Sequence, residues 1–363
     1  MTARFRTGLV VGKFCPLHRG HQRLIDHAFE HCDEVILLSY TGPEFAGCEP
    51  ERRERWLQAL YPRALSLVLD DDRLDLLCRQ CGHVPRSVPG NSDADAAHHE
   101  FIGWLCVHIM KRPVNAVFTS ENYGDNFAAA LSRCFSHAFG KDTTVIHVCC
   151  DPMRRTVPIS GTQIRADPHR YRGYLARPVY ADFIERVALL GGESSGKTTL
   201  ADHLAKQMQT TWAAEYARDL WMEREGRLAI DDMLHIAQAQ IAREEMLSQQ
   251  ANRWLFCDTT PLTTLFYSQD LFGKADPVLT ALAQRRYDHV FLCAPDFDFV
   301  QDGTRRGDAF RTLQHQWYVR ELKEREIQFS VLTGSTADRC AAVLAKIGVN
   351  GGDSSLIPQR KSK

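Results

Sequence analysis

A glycine-rich signature near the middle of the chain restricts the fold more than any other sequence feature. Residues 191–198, GGESSGKT, fit G-x-x-x-x-G-K-[ST]; the apolar run RVALLGG precedes them and the helix-like TTLADHLAKQM follows. In this context the glycines let backbone N–H groups turn toward phosphate oxygens, Lys197 reaches the outer phosphates, and Thr198 can ligate Mg²⁺. The predicted phosphate loop comprises Gly191, Gly192, Glu193, Ser194, Ser195, Gly196, Lys197, Thr198 and Thr199.

The rest of the chain predicts two α/β domains in series. Its 363 residues suffice for about two domains, and 44% hydrophobic with 25% charged residues is typical of globular proteins. Short apolar runs alternate with helix-like stretches in both halves, which predicts two doubly wound parallel sheets. We expect a Rossmann-like domain at 1–180, a P-loop domain at 181–349 and a flexible tail at 350–363.

The predicted strands of the first half are buried runs at 8–12, 34–40, 65–69, 115–120 and 144–150. Those of the second half are at 186–192, 253–258, 289–294 and 328–334, with a long helix at 229–250. Residues 83–97, rich in Pro, Gly and Asp, are predicted to form a loop.

Charge and targeting signals exclude several classes of protein. A net charge of −1 argues against a dedicated nucleic-acid binder. We find no signal peptide and no apolar run long enough to span a bilayer, so we expect a soluble cytoplasmic protein. Cys78 and Cys81 in CRQCGH form the one C-x-x-C pair of the sequence; zinc would need a second such pair, so reduced thiols are the expectation.

The P-loop also needs a carboxylate and an acceptor site. Asp258 ends a predicted strand, where it would order the Mg²⁺ shell or deprotonate a nucleophile, and Thr259 follows it; a simple strand-ending Asp is the alternative. Acceptor candidates, in the segment EYAR, are Glu215, Tyr216 and Arg218. Lid candidates, for which a solvated charged loop is the alternative, are Asp302, Arg305, Arg306 and Arg311. These features predict a small-molecule kinase or an NTPase.

A second phosphate site is predicted in the N-terminal half. In GKFCPLHRGH, His18 and His21 flank Gly20 directly after the first strand, where a helix N-terminus favours anions. Ser160 and Gln163 in ISGTQIR predict a capping box, and Thr162 and Arg165 beside it are suited to phosphate contacts. No nucleophile or general base accompanies these residues.

This pair of motifs resembles the nucleotidyltransferase superfamily, whose signature is HxGH followed by ISxTxxR. The resemblance implies that a substrate phosphate attacks the α-phosphate of ATP while His18 and His21 bind the phosphates and stabilise the transition state. It further implies that FTSENYG (118–124) lines the adenosine end. The implied nucleotide-binding residues are Gly12, Lys13, Phe14, Ser120, Ser160, Thr162 and Arg165.

The order of the two halves resembles the NadR family, which joins a nicotinamide mononucleotide adenylyltransferase to a ribosylnicotinamide kinase. The resemblance covers about residues 8–345 and rests on GKFCPLHRGH, DPMRRTVPISGTQIR, GGESSGKTTL, EYAR, CDTTPLTT and DGTRR. It implies that nicotinamide riboside and ATP give the mononucleotide, which with a second ATP gives NAD and pyrophosphate, with Mg²⁺ at the kinase site.

The chain departs from that family in two places. Some members carry an N-terminal helix-turn-helix, but only seven residues precede Gly8, so we expect no DNA-binding domain. The stretch 73–104 matches no family motif; Trp104 there could stack on a nicotinamide ring, although a core position is the stronger expectation.

Three questions stay open at this stage. The acceptor could instead be another phosphorylated compound, such as a flavin or pantetheine phosphate, because the motifs would be identical. A nucleotide-sensing regulator with weak turnover is the alternative from a different class, although intact Lys197, His18, His21 and Arg165 argue against it. The oligomeric state is undetermined and includes a homo-oligomer.

Overall fold

The chain folds into two compact units, Met1–Phe183 and Ile184–Lys363, each around one five-stranded parallel sheet. The computed structural model describes residues 5–120, 124–151, 155–301 and 305–348. The predicted α/β class with two parallel sheets is confirmed. The predicted tail, 350–363, lies outside the described residues. Among the described residues, no helix is long and apolar enough to cross a membrane.

The first unit has the strand order β3-β2-β1-β4-β5. Its strands are β1 (Phe5–Val11), β2 (Cys32–Tyr40), β3 (Leu65–Leu69), β4 (Ala116–Thr119) and β5 (Ile146–Cys149). Its helices are α1 (Arg19–His31), α2 (Pro50–Leu60), α3 (Asp71–Gln80), α4 (Asp95–Trp104), α5 (Gly124–Phe139), α6 (Gly161–Ala166) and α7 (Arg177–Tyr180). The strand order reverses beside the central β1, so its carboxyl end borders the crevice where such sheets bind ligands.

Three expectations for this unit need correction. Strands β3 and β5 are edge strands rather than buried ones: Leu65 is 49% exposed and Ile146 is 45% exposed. The predicted loop 83–97 is shorter, because α4 already begins at Asp95. Helix propensity in ADAAHHEF therefore prevails over the turn-forming residues before it.

The second unit has the strand order β10-β9-β6-β8-β7. Its strands are β6 (Glu185–Gly191), β7 (Thr211–Ala213), β8 (Trp254–Asp258), β9 (His289–Cys293) and β10 (Ser330–Leu332). Its helices are α8 (Lys197–Met208), α9 (Tyr216–Glu223), α10 (Ile230–Ser248), α11 (Pro261–Phe272), α12 (Pro277–Leu282), α13 (Asp308–Glu324) and α14 (Thr336–Lys346). The long helix predicted at 229–250 is α10, whereas β7 was not predicted.

From Val187 to Gly191 the central strand β6 is buried on both faces, which explains why this part of its sequence is continuously apolar. Val187 and Leu189 belong to one hydrophobic core, shared with α8 and α14. Ala188 and Leu190 point the other way, into a second core shared with α10, α11 and α13. Because successive strand residues face opposite sides, one short apolar run organises both cores and places the loop after Gly191 between them.

Candidate active sites

In the first unit, the turn between β1 and α1 holds two interlocked histidines. His18 is the N-cap of α1, and its Nδ1 accepts a hydrogen bond from the Gly20 N–H at 3.1 Å. The His21 Nδ1 in turn accepts from the His18 N–H at 3.4 Å. The two rings stack with centroids 3.8 Å apart and planes at 24°. Because both Nδ1 atoms accept, the neutral rings carry their protons on Nε2, where they can donate to a ligand.

The buried side chain of Phe14 packs against this turn. Its side chain is fully buried and its ring stands edge-on to His21, with centroids 5.1 Å apart. A Cβ on Gly12 would lie 2.7 Å from the Phe14 ring, so glycine is what allows this packing. The side chain of Phe14 therefore positions His21 and does not face the cleft; only its backbone remains for the predicted nucleotide contact.

Helix α6 brings a guanidinium to the same turn. The predicted capping box is present: Ser160 Oγ accepts from the Gln163 N–H at 3.2 Å, and Gln163 Oε1 accepts from the Ser160 N–H at 3.0 Å. Arg165 donates to the Cys15 carbonyl and, at 3.2 Å, to Thr162 Oγ1. Arg165 thus ties α6 to the HxGH turn while its guanidinium remains at the cleft surface.

These residues line one cleft of about 620 Å³. The predicted residues that it brings together are Gly12, Lys13, His18, His21, Ser120, Ser160, Thr162 and Arg165. Lys13 Nζ donates to the Asn91 carbonyl at 3.3 Å and lies near the ring of Phe45, which also stacks under Arg165. In the predicted adenosine segment, residues 121–123 lie outside the described residues.

Most of the residues that line this cleft were not assigned by sequence analysis. Tyr40 Oη pairs with His98 Nδ1 at 2.8 Å, and His99 stacks on Phe127 with centroids 4.9 Å apart. Burial lowers the pKa of His99. The lining residues from the unplaced stretch are Asn91, Asp93, Asp95, His98, His99 and Ile102. The one available signal was the cluster of Asp and His in NSDADAAHH.

Trp104 is not among the residues that line this cleft. It is half-buried against the hydrophobic core, and the Arg86 guanidinium lies 4.5 Å from its ring centroid. The packing favours the core position over a stacking role on a nicotinamide ring. Cys78 is likewise buried in this core, and its partner in the motif, Cys81, is half-buried.

In the second unit, the P-loop connects β6 to α8. Gly191 has φ 146° and Gly196 has φ 79°, conformations that side chains other than glycine rarely adopt. A Cβ on Gly191 would also lie 2.8 Å from the Cys293 carbonyl. Lys197 Nζ donates to the carbonyls of Gly191 and Gly192 at 3.0 and 2.9 Å, so its ammonium group lies over its own loop.

Asp258 and Thr198 form a pair suited to a divalent cation. Thr198 Oγ1 donates to Asp258 Oδ2 at 2.5 Å. Burial raises the pKa of Asp258, and the nearby charge of Lys197 opposes that effect. Within the described residues, the buried Asp258 Oδ1 has no hydrogen-bond partner. A hydroxyl beside a carboxylate with an unsatisfied oxygen fits the oxygen ligands that Mg²⁺ takes.

Glu215 faces the same cleft from the N-terminus of α9. Desolvation by the surrounding protein, reinforced by the charge of Asp258, raises the pKa of Glu215 to about 7, although Lys197 and Arg218 act in the opposite direction. A carboxyl group with this pKa exchanges protons readily at neutral pH, which is what a general base requires.

The P-loop cleft has a volume of about 570 Å³. The predicted residues that line it are Gly191, Glu193, Ser194, Ser195, Gly196, Lys197, Thr198, Thr199, Glu215, Arg218, Thr259, Arg305 and Arg306. Tyr216 is not among them: its hydroxyl pairs with His235 Nε2 at 3.1 Å and the Arg243 guanidinium packs on its ring. Tyr216 therefore contacts α10 instead of an acceptor.

Arg311, predicted as a lid residue, instead supports the P-loop from the inside of the unit. It is 4% exposed on the inner face of α13 and donates to the carbonyls of Phe297 and Ser194, at 2.8 and 3.4 Å. Gln314 Oε1 accepts from the Glu193 N–H at 2.9 Å, and Arg339 Nη1 donates to the Ser195 carbonyl at 2.8 Å. Sequence analysis missed the supporting contacts of Gln314 and Arg339, because an inward-facing polar residue on a helix carries no local motif.

The predicted lid segment is attached to the P-loop through Glu193. The Arg306 N–H donates to Glu193 Oε2 at 2.8 Å, and Tyr267 Oη donates to Glu193 Oε1 at 2.9 Å. Arg305 Nη1 reaches Ser194 Oγ at 3.3 Å. Asp302 lies outside the described residues. Two of the four predicted lid residues, Arg305 and Arg306, thus stand at the mouth of the cleft.

The fold and the two clefts define an α/β protein with two nucleotide-binding units of different type. A family model described as an AAA domain matches residues 186–339, within the second unit. Two relatives are the trifunctional NAD biosynthesis/regulator protein NadR of Salmonella typhimurium and that of Escherichia coli. They are 29% and 28% identical to this chain over 330 residues, which are 89% of this chain and 77% of each relative.

Two solved structures share the whole fold. A crystal structure of NadR protein in complex with NR has a TM-score of 0.72 at 20% identity, covering 96% of this chain and 98% of that one. A second, in complex with NAD and AMP-PNP, has a TM-score of 0.69 at 18% identity, covering 96% and 99%. The resemblance to the NadR family is therefore confirmed as similarity in sequence over 89% of the chain and in fold over 96% of it.

Proposed function

We propose that the chain is a bifunctional enzyme of NAD biosynthesis. The second unit would phosphorylate nicotinamide riboside to the mononucleotide with ATP, and the first would adenylylate the mononucleotide to NAD and pyrophosphate with a second ATP. The observation that carries the proposal is one chain with two separate clefts, one lined by the HxGH turn and one by the P-loop. Support comes from homology to NadR and from the NR, NAD and AMP-PNP bound to its structural neighbours.

In the first unit, donors align two phosphates and no base is required. The phosphate of the mononucleotide is already ionised, so it attacks the α-phosphorus of ATP directly and pyrophosphate leaves. His18 and His21 present Nε2–H donors, because their Nδ1 atoms are engaged by the turn itself. Arg165 and Lys13 add positive charge to the same cleft. This arrangement stabilises charge and in-line geometry in the transition state.

The acidic rim of this cleft favours a cationic acceptor. Asp93 and Asp95 line it, and Asp93 is oriented by a hydrogen bond of 2.8 Å from the Gly90 N–H to its Oδ2. A nicotinamide nucleotide carries a positive charge on its pyridinium ring, whereas a flavin or pantetheine phosphate has no such charge. Carboxylates at the rim therefore attract the pyridinium ring of the nicotinamide nucleotide and not the uncharged part of a flavin or pantetheine phosphate.

In the second unit, the acceptor is a hydroxyl group and needs a base. Glu215 takes the proton of the riboside hydroxyl as its oxygen attacks the γ-phosphorus of ATP, and ADP leaves. The pKa of Glu215, about 7, suits this proton transfer. Lys197 and Arg305 stabilise the charge of the transferring group. Thr198 and Asp258 would hold Mg²⁺, which when bound would neutralise negative charge on the phosphates of ATP.

Two parallel incubations of the purified chain with ATP and Mg²⁺ test the proposal, one with nicotinamide riboside and one with the mononucleotide. We expect mass spectrometry to detect NAD in both tubes. Controls without ATP should contain no NAD, and the control with the riboside should contain no mononucleotide. Mononucleotide alone in the first tube, with no NAD in the second, would contradict the assignment of the first unit. Absence of any product would contradict both assignments.

A further inference from the structure

The last turn of α1 carries two histidines and a glutamate on one face, at the opposite end of the helix from the HxGH turn. In the segment HAFEH, His27, Glu30 and His31 stand at i, i+3 and i+4, a spacing that makes them neighbours on a helix. One nitrogen of each imidazole and one carboxylate oxygen all lie within 4.8 Å of one another. Among the described residues, no other group of three or more His, Cys, Asp and Glu side chains converges in this way.

The hydrogen bonds of these side chains leave the atoms that a metal needs. His31 Nδ1 lies 2.9 Å from the His27 carbonyl oxygen. A carbonyl only accepts, so the neutral His31 carries its proton on Nδ1 and keeps the lone pair of Nε2 for a metal. His27 Nδ1 lies 3.3 Å from Glu30 Oε2. Two ligands of a tetrahedral zinc ion are also about 3.3 Å apart, so a cation can replace the proton between these two groups with little movement.

The surrounding structure supports the site and leaves it accessible. The ring of His27 stands edge-on to Phe118 of β4, with centroids 6.0 Å apart, and Phe118 is 1% exposed. The side chains of His27 and Glu30 are 30% and 68% exposed, so a cation and its bound water can reach them. His31 is the last residue of α1, where the carbonyl end of the helix dipole attracts positive charge.

We propose that His27, Glu30 and His31 form a binding site for a divalent transition-metal cation, with Zn²⁺ as the probe that fits it and water completing the tetrahedral shell. Two imidazoles and a carboxylate suit Zn²⁺, Co²⁺ and Ni²⁺, whereas Mg²⁺ and Ca²⁺ take oxygen ligands. The Mg²⁺ of the proposed kinase reaction therefore does not compete for it. The bound cation ties the last turn of α1 together and takes no part in either proposed reaction.

Calorimetric titration of the full chain with Zn²⁺, purified without a polyhistidine tag and kept reduced, tests the site. His27→Gln, Glu30→Gln and His31→Gln should each weaken the binding of one Zn²⁺ at least about tenfold. Mg²⁺ should bind to this site in none of the proteins. His137→Gln is the matched control, because His137 is an exposed histidine in the last turn of another helix, α5, outside any such cluster among the described residues. Wild-type affinity in any of the three ligand variants, or an equal loss in His137→Gln, would overturn the proposal.

Co²⁺ distinguishes this site from the thiols of the 12 cysteines. Thiolate ligands give bound Co²⁺ an intense charge-transfer band, whereas nitrogen and oxygen ligands give only weaker d–d bands. The wild type should show d–d bands that His31→Gln lacks; a charge-transfer band as the only signal would overturn the proposal.

Amide hydrogen exchange gives a local readout of the same binding. Zn²⁺ should slow exchange in the last turn of α1 in the wild type and not in His31→Gln, because a ligand that binds only the folded turn stabilises it. Exchange in α1 that Zn²⁺ leaves unchanged would contradict the proposed clamp. These measurements require no turnover, so failure of the chain to make NAD would count against the proposed function and not against the metal site.

Discussion

The two clefts surround phosphate with different chemistry. Around the HxGH turn of the first unit stand imidazoles, a guanidinium and an ammonium group, from His18, His21, Arg165 and Lys13. In the second unit, the carboxylate of Glu215 is influenced by the charges of two other carboxylates, Asp258 and Glu193, and by those of Lys197 and Arg218. The difference follows the nucleophiles that we propose: a phosphate needs only alignment and charge, whereas a hydroxyl must also lose a proton.

Both loops nevertheless meet the same physical requirement. A loop that turns its N–H groups toward a ligand must satisfy its carbonyls elsewhere. In the first unit Arg165 donates to the Cys15 carbonyl, and in the second Arg311 and Arg339 donate to those of Ser194 and Ser195. Arginine suits this task because its several donors lie in one rigid plane. The comparison teaches that the supporting arginines, not only the signature residues, shape a phosphate loop.

The largest expected effect separates the two activities from the side of the second unit. Lys197→Ala removes the cation that we propose contacts the transferring phosphoryl group, so riboside phosphorylation should fall on the order of a thousandfold. Adenylylation of the mononucleotide, measured on the same preparation, should stay at the wild-type rate. Lys206→Ala, on the exposed face of the same helix, is the control. A comparable loss of adenylylation in a folded protein would show that the sites are not independent.

The reciprocal change acts on the first unit. His21→Ala removes one Nε2–H donor and also the acceptor that orients the His18 N–H. Adenylylation should fall on the order of a hundredfold, with riboside phosphorylation unchanged. Both rates can be followed by chromatographic separation of the mononucleotide and NAD. His27→Ala, two turns further along α1, should leave both rates as they are; if it matched His21→Ala, the loss would reflect helix α1 and not the site.

The pH dependence should differ between the two activities because only the second site uses a base. With a pKa of about 7, Glu215 is ionised and able to accept a proton above that pH, and it becomes protonated as the pH falls below it. Riboside phosphorylation should therefore decline as the pH drops through about 7, while adenylylation lacks this decline.

Glu215→Gln tests the assignment directly. The substitution should lower kcat for riboside phosphorylation about a hundredfold. It should also remove the decline of that activity as the pH drops through about 7. Glu223→Gln, an exposed residue at the end of the same helix, is the control. An unchanged pH profile in Glu215→Gln would assign the base to another residue.

The sequence predicted the elements that carry local signals and missed those defined by tertiary contacts. The P-loop, the HxGH turn and the capping box at Ser160 each lie within a few residues, so their geometry follows from short-range backbone preferences. Strand β7, three residues of TWA, has no apolar run to mark it and is a strand only because it pairs with β8. Long-range pairing of this kind has no counterpart in a short window of sequence.

The same limit explains the site residues that differ from expectation. Arg311 looks like a solvated lid residue in DGTRRGDAFR, but α13 turns it inward, where carbonyls of the P-loop region satisfy it. The Tyr40–His98 pair joins residues that are 58 positions apart. The Thr119–His147 contact crosses between adjacent strands. Charge and polarity are visible in the sequence, but the partner that decides their role is not.

The smallest predicted effect compares two helix caps of the same design. Ser160 caps α6 beside the first cleft, and Ser335 caps α14 in the second unit; each accepts from a backbone N–H at 3.2 Å, and each belongs to a capping box. Replacing either by alanine should cost about 1 kcal/mol in the free energy of unfolding, measured by urea denaturation.

Their effects on activity should differ, because α6 also carries Thr162 and Arg165. Ser160→Ala should raise the KM for ATP in adenylylation a few-fold, since fraying of α6 loosens the contact between Arg165 and the Cys15 carbonyl. Ser335→Ala should leave that KM unchanged despite the similar loss of stability. If both variants raised it equally, global destabilisation would account for the effect. A rise in KM that is confined to Ser160→Ala would instead show that the capped N-terminus of α6 supports the HxGH turn.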